Sequence, residues 1–315
     1  MTKKLGIDFG NCTICFAGEG SEKTIKRNYI DSTYTTSLGS DLDDVVGYNG
    51  VTIKLGARGA TANELSNVNK VEREYLEHQI LWSAYKCYGS GNHHIKLAVG
   101  LPIIDYLNKV KQEAFLEKLK GFNTLTGTVE GKNVTLTIIP DQVKIYAEGH
   151  ATLKVLFTYL SRSFGNLVID IGLKSTDISI YEWVDGKFKA VATETIPVAL
   201  DSILSPIQAE LELKGAHYKI TQIDRLIREE KYIIRTEQGD YDLKAALMLR
   251  TTESTNIIKE IENKVGKTLN YNKLFIGGGS KIFLDILGRD RISNLISVPN
   301  DIQYYANAIA YFLNM

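Results

Sequence analysis

Two acidic residues, each followed two positions later by glycine, close apolar runs in this chain. Asp8 does so in Leu5-Gly-Ile-Asp-Phe-Gly-Asn-Cys-Thr-Ile-Cys-Phe16, and Asp170 in Leu167-Val-Ile-Asp-Ile-Gly-Leu-Lys-Ser-Thr-Asp-Ile-Ser-Ile-Tyr181. Asp8 matches Asp170 and Gly10 matches Gly172 at one offset, 162 residues (170 − 8 and 172 − 10). Leu167 to Ile169 reads as a short buried strand, and the alternation Asp177 to Tyr181 as a second. Each carboxylate therefore belongs at a strand end, beside a tight turn between antiparallel strands. Such a turn can present successive backbone N–H groups to an anion, and glycine supplies the positive φ and the close approach. The carboxylate repels phosphate but can hold the water shell of Mg²⁺. Either hairpin alone reads as an ordinary edge hairpin. The repeat at matched spacing points instead to two half-molecules clamping one Mg-nucleotide.

Other candidate residues are weaker singly. Gly277, Gly278 and Gly279 follow the apolar run Leu274 to Ile276 and precede a helix starting near Ser280. That places open N–H groups at a helix N-terminus, an anion or nucleotide contact, or else a plain turn. The G-x-G-x-x-G spacing is absent. Gly266-Lys-Thr268 imitates the end of a P-loop, but Ile261 stands where that motif needs glycine, and Gly266 reads as a helix stop. Asp141 and Gln142 follow Pro140; a side chain there could orient water towards a terminal phosphate, although by itself Asp141 reads better as a helix N-cap. His93 and His94 read as surface histidines. Cys12 and Cys15 have metal-like spacing but no second pair, and Cys87 shares an apolar helical stripe with Leu76, Ile80 and Ala84.

The bulk composition excludes several classes. The 315 residues suffice for two domains. Lys+Arg and Asp+Glu are both 37, so no general basic face for nucleic acid is implied. With 44% hydrophobic and 23% charged residues the chain is an ordinary globular protein, and no apolar run approaches a membrane span. Met-Thr-Lys-Lys passes directly into a strand, which leaves no room for a signal peptide. A cytoplasmic location is expected.

The elements needed to hold these residues follow in order. Strands are expected at Leu5 to Asp8, Thr13 to Ala17 and Thr24 to Tyr29, the last after a Gly-rich turn. A loop-rich stretch over 33–70 contains short strands at Val45 to Tyr48 and Val51 to Leu55. An amphipathic helix over Val71 to Tyr88 stops at Gly89. A strand ends at Pro102, a helix runs from Asp105 to Lys120, and a strand pair surrounds Glu130-Gly131-Lys132. A helix is expected from Val143 to about Ser161. After the central repeat come a strand at Lys187 to Ile196, a mostly helical stretch over 198–264 and a closing helix at Asp301 to Leu313. Strands alternating with helices, twice over, argue for two α/β domains.

These motifs, in this order and over nearly the whole chain, resemble the actin-like ATPase superfamily. The order is the hairpin Asp8 to Thr13, then Pro140-Asp141-Gln142, the hairpin Asp170 to Asp177, Gly277-Gly-Gly-Ser280, and the terminal helix. Within the superfamily the chain is similar to the ParM-type plasmid-segregating bacterial actins, which share Gly-Leu-Pro as in Val99 to Tyr106 and a closing segment like Pro299 to Ala308. The resemblance implies duplicated mixed-sheet α/β domains around a nucleotide cleft. Domain I would comprise 1–162 and 300–315 with a small insertion at about 33–92, and domain II 163–299 with a helical insertion at about 198–264. It implies that Asp8 and Asp170 hold Mg²⁺ through water. Gly10, Asn11, Cys12 and Thr13 would wrap the β-phosphate, and Gly172, Leu173, Lys174 and Ser175 would approach the γ-phosphate. Gly277, Gly278, Gly279 and Ser280 would line the adenosine pocket, with Arg228 on a helix contacting base or ribose. Asp141, with Gln142 as the alternative, would orient the attacking water.

Two departures stand out. Leu173-Lys174 replaces a glycine, so that Lys174 adds positive charge or the turn is wider, and Asp141 is shorter than the family's Glu or Gln, so slow hydrolysis is one expected result. The implied function is an ATPase, with GTP as the other nucleotide, that forms filaments and moves plasmid DNA. It would do so through a DNA-binding adaptor on centromere-like DNA, without itself touching nucleic acid or membrane. The alternatives are a sugar or acyl kinase on the same fold and a cell-shape bacterial actin.

Overall fold

Leu5, Ile7 and Phe9 alternate along strand β1 (Lys3–Phe9) and are wholly buried, the period-2 pattern of a strand with one face in the core. The computed structural model describes residues 2–20, 24–58, 62–65 and 70–315. Parts of the expected Gly-rich turn (21–23) and of the loop-rich stretch (59–61 and 66–69) lie outside the described residues. The chain divides into two compact units, Met1–Phe157 with Tyr305–Met315, and Thr158–Tyr304.

The first unit continues through β2 (Thr13–Glu19), β3 (Ile25–Asp31), β4 (Thr33–Thr35), β5 (Val45–Tyr48), β6 (Val51–Leu55) and β7 (Asn63–Glu64). Next come helix α1 (Leu76–Tyr88), strand β8 (Gly91–Leu101), helices α2 (Ile103–Leu107) and α3 (Lys109–Gly121), strands β9 (Thr124–Val129), β10 (Lys132–Ile138) and β11 (Lys144–Ala147), and the short α4 (Leu153–Leu156). Among the described residues they form one sheet in the order β3-β2-β1-β8-β10-β9-β5-β6-β4-β7. β8 is long enough that β10 pairs with its first half and β11 with its second, both parallel to it, as is β1 on the opposite edge. The carboxyl ends of β1, β8 and β11 therefore lie together.

In the second unit β12 (Asn166–Ile171) is buried at every position, the continuous apolar run expected of a strand covered on both faces. It is followed by β13 (Thr176–Val184), β14 (Lys187–Ile196), helices α5 (Asp201–Leu213) and α6 (Ile220–Arg228), and the hairpin β15 (Ile233–Thr236) and β16 (Gly239–Asp242). Helices α7 (Leu243–Met248) and α8 (Thr251–Val265), β17 (Asn272–Ile276), α9 (Ser280–Leu287) and α10 (Asn300–Asn314) complete it. The first residues of α10 belong to this unit and the rest to the first. The sheet order β14-β13-β12-β17 repeats β3-β2-β1-β8: an antiparallel meander with a parallel strand beside its first member.

Three sequence expectations change. The helix expected from Val71 starts only at Leu76, because Tyr75 takes a left-handed φ of 52° that an α-helix cannot continue through; Lys70–Glu72 is a 3-10 turn. The helix expected after Val143 is mostly absent. Lys144–Ala147 pairs with β8 instead, and Gly149 at φ 64° precedes a 3-10 turn and one short helix. His93 is buried rather than exposed: Lys3 Nζ donates to its Nδ1 at 3.2 Å, so its Nε2 donates to the Gly89 carbonyl at 3.0 Å. Gly266, as expected, stops α8, at φ 80°. No helix among the described residues is long and apolar enough to cross a membrane.

α10 packs on β1 and β8 at backbone distance. A Cβ on Gly6 would lie 2.5 Å from the Ala308 carbonyl oxygen, and one on Gly100 only 1.9 Å from Tyr311 Oη. Gly100→Val is therefore expected to displace Tyr311 and destabilise the first unit by ~1–3 kcal/mol, the usual cost of overpacking; a thermal melt unchanged from wild type would show the contact to be slack.

His78 is buried in α1 with its Nε2 at 3.2 Å from the Val51 carbonyl. Burial pulls its pKa below the ordinary 6.5, against the opposing pull of that carbonyl and of Glu77. As pH falls the unfolded chain takes up this proton first, so stability present above that range is lost below it. Urea midpoints should fall between about pH 7.5 and pH 5.5, and the fall should shrink in His78→Gln; an equal fall in both proteins would locate the acid sensitivity elsewhere.

Candidate functional site

In the first unit the turn between β1 and β2 is four residues long, Gly10 to Thr13, closed by the pair Phe9 and Ile14. Glycine is required at position 10, where a Cβ would stand 2.6 Å from the Thr13 carbonyl oxygen. The carbonyls of this turn are drawn to one side. Arg73 Nη1 donates to Phe9 O at 2.7 Å and Nη2 to Gly10 O at 3.0 Å. Ser32 Oγ also donates to Gly10 O, at 2.6 Å, and Ser32 N to Cys12 O at 2.7 Å. Arg73 is itself buried and spends Nε on Gln79 Oε1 at 3.0 Å. Burial lowers its pKa to about 10, with Asp8 and Glu148 pulling back, so it stays charged at neutral pH. A turn whose carbonyls point one way directs its N–H groups the other, the arrangement of an anion nest. The buried Oδ1 of Asn11, in the same turn, has no hydrogen-bond partner among the described residues.

Asp8 leaves the carboxyl end of β1, and Glu148 leaves that of β11, where its N–H donates to Leu101 O at 2.8 Å. Ligands of open α/β sheets bind beyond such strand ends. Lys70 Nζ sits 3.6 Å from Asp8 Oδ1 and is hydrogen-bonded to Glu148. Asn307 Nδ2 lies 3.5 Å from Asp8 Oδ2, while its Oδ1 accepts from Gly149 N at 3.0 Å. Burial lifts the Glu148 carboxyl above its ordinary range, and Lys70 offsets this only in part because Asp8 adds a like charge. Burial opposes the charge on Lys70, yet the two carboxylates outweigh it and raise its pKa.

The turn of the second unit, Gly172 to Ser175, is closed by the pair Ile171 and Thr176 and has the same four residues. It is therefore no wider than the first. Its carbonyls are also tied back, here by the approach to α5: Leu200 N donates to Gly172 O at 3.3 Å and Asp201 N to Leu173 O at 2.9 Å. Lys174 Nζ pairs with Asp201 Oδ2 at 2.7 Å, and Leu173 is buried. Asp170 is buried against Gly277, whose φ is +88° and where a Cβ would lie 2.2 Å from Asp170 Oδ1. Gly279 N donates to Ile171 O at 2.9 Å, and a Cβ there would sit 2.9 Å from Ile171 Cγ2. A Cβ on Gly278 would meet the Tyr304 ring at an ordinary 3.8 Å.

The remaining sequence candidates are less closely gathered. Ser280 is fully buried, and its hydroxyl donates to the Ile276 carbonyl, so it secures the start of α9. Arg228 Nε pairs with Asp224 Oδ2 at 2.9 Å near the end of α6, and that end meets the first turn of α9 through Lys281 and Glu230 at 3.4 Å. Asp141 is exposed on the 3-10 turn Pro140–Gln142, which leads into β11, so it caps no α-helix. Gln142 Oε1 is buried without a partner among the described residues. No hydrogen bond or ion pair joins either residue to Asp8 or its turn among the described residues.

Sequence reasoning missed Ser32, Lys70, Arg73, Glu148 and Asn307. One signal was present: Ile145-Tyr-Ala-Glu-Gly149 is a third short apolar run ending in an acid and a glycine.

No protein-family model matches the sequence, and a search of curated proteins finds no match. Solved structures do match. A non-polymerisable quadruple mutant of pCBH ParM is similar over 100% of this chain and 99% of its own, with a TM-score of 0.81 at 19% identity. A 15-stranded ParM filament from Clostridium botulinum is similar over 99% and 98%, at 0.77 and 18% identity. An archaeal actin homologue in complex with ADP is similar over 99% and 98%, at 0.76 and 16% identity. At these identities the likeness is one of fold: the chain shares the two-domain α/β architecture of the ParM proteins and of the archaeal actin homologue.

Proposed function

We propose that this protein is a nucleotide-dependent, self-assembling actin-like ATPase. The observation that carries the reading is the repeated four-residue turn with its carbonyls tied back, once in each unit, each beside a strand-end aspartate. The orphaned Asn11 amide oxygen fits the reading, since half a turn about the amide would offer its N–H₂ to an anion. Gly10, Asn11, Cys12 and Thr13 take the β-phosphate, and Gly172 to Ser175 the γ-phosphate. Gly277 to Gly279, with Ser280 behind them and Arg228 on α6, line the nucleoside end. Asp8 and Asp170 hold hydrated Mg²⁺, which when bound neutralises phosphate charge. The base is adenine or guanine. Filaments of this chain, linked through a DNA-binding adaptor to plasmid DNA, would separate plasmid copies; the ParM likeness supports that role. With ATP or GTP and Mg²⁺ the purified protein should pellet at micromolar concentration and show filaments by electron microscopy. A protein that stays in the supernatant with both nucleotides sinks the assembly half of the proposal.

For the group that polarises attacking water, the geometry favours Glu148 over Asp141. Glu148 stands at a parallel-strand end beside Asp8, with Lys70 between them, and burial favours its proton uptake; Asp141 is exposed on a turn with no tie to Asp8. Glu148→Gln should lower nucleotide hydrolysis on the order of 100-fold or more, the usual share of a general base, with Asp141→Asn near wild type. The opposite ranking in a phosphate-release assay would return the role to Asp141.

A further inference from the structure

Lysine is seldom fully buried, yet Lys70 is 4% exposed. Its ammonium lies between Asp8 and Glu148, the two carboxylates that leave the ends of β1 and β11. Its backbone is anchored by Arg73, whose N–H donates to Lys70 O at 3.3 Å and whose guanidinium holds the carbonyls of Phe9 and Gly10. The residue that shapes the anion turn thus also fixes where the lysine stem begins.

The pairing is uneven. Glu148 is hydrogen-bonded to Lys70, but the contact with Asp8 is 3.6 Å, beyond hydrogen-bond length. Among the described residues, the other oxygen of Asp8 has Asn307 Nδ2 for a partner, at 3.5 Å. Asp8 is therefore a carboxylate loosely held on both sides and partly open to solvent, one that a second cation can claim. A lysine carries three rotatable donors on a flexible four-carbon stem, so its ammonium can change partner without backbone movement.

We propose that Lys70 is a phosphate-sensing residue: it is the counter-ion of Asp8 and Glu148 while the first unit is empty, and it turns to the terminal phosphate of a nucleoside triphosphate once a hydrated divalent cation claims Asp8. The inference rests on the nucleotide-binding reading above. Two cations on one carboxylate repel each other, while the oxygens of a terminal phosphate offer the ammonium a more highly charged acceptor. A diphosphate lacks that group and leaves Lys70 with Glu148. The lysine thereby gives the triphosphate a differential affinity, which is what a nucleotide switch needs.

The test measures Kd for ATP and ADP, and for GTP and GDP, with Mg²⁺ by titration calorimetry on wild type and Lys70→Met. Loss of a charged hydrogen bond should weaken triphosphate binding ~10–100-fold and leave diphosphate binding within about threefold. Equal losses for both, or no loss, overturn the proposal while leaving nucleotide binding intact. A wild type that binds no nucleotide overturns the functional reading and this proposal with it. Removing one partner of a buried ion pair can prevent folding. Should Lys70→Met not fold, Glu148→Gln is compared with Glu148→Gln carrying Lys70→Met, and the same triphosphate-to-diphosphate ratio decides.

Discussion

Backbone carbonyls pulled to one side of a four-residue turn are the constraint from which most of this structure follows. A buried carbonyl left without a donor costs about 1–3 kcal/mol, so a turn held in this shape must have donors built behind it. The first unit supplies them with one guanidinium, whose fork reaches two successive carbonyls while two further N–H groups go to Ser32 and Gln79. The second unit supplies them with the backbone leading into α5. There the positive end of a 13-residue helix also faces the turn. Two different pieces of chemistry thus meet one geometric demand, and neither resembles the other in sequence.

Around each turn the four-strand unit is the same and the additions differ. In the first unit the sheet grows outward from β10 through β9 to β7, with α1 packing its apolar stripe of Leu76, Ile80, Ala84 and Cys87 into the core. In the second the sheet stops at four strands, and helices with a separate hairpin occupy the corresponding length of chain. Close approach does the rest of the positioning. Gly277 and Gly279 let the start of α9 lie against Asp170 and Ile171, and Gly6 and Gly100 let α10 lie on the first sheet.

The period-2 and period-3.6 patterns made the strands and most helices legible: Val51–Leu55 and Lys187–Ile196 begin and end where their alternation does. The repeated acid and glycine were legible because both lie within a few residues of the turns they shape. Arg73 and Lys70 were not. In Lys70-Val-Glu-Arg-Glu74 they look like the solvated face of a helix, and only pairing with a turn some 60 residues away turns that charge inward. β11 was hidden because its partner, the second half of β8, is specified by sheet topology and not by its own four residues. His93 was misread for a similar reason, since its neighbours Lys3 and Gly89 are brought to it by strand pairing and a helix end.

The placement of the three cysteines has a practical consequence. Cys15 and Cys87 are buried, and burial raises the Cys87 thiol to about 11, which removes most of its thiolate. Cys12 alone is partly open to solvent, and it sits in the turn between β1 and β2. A maleimide dye added to the unaltered polypeptide should therefore attach at one position, giving a fluorescent reporter at the first turn without engineering a new attachment point.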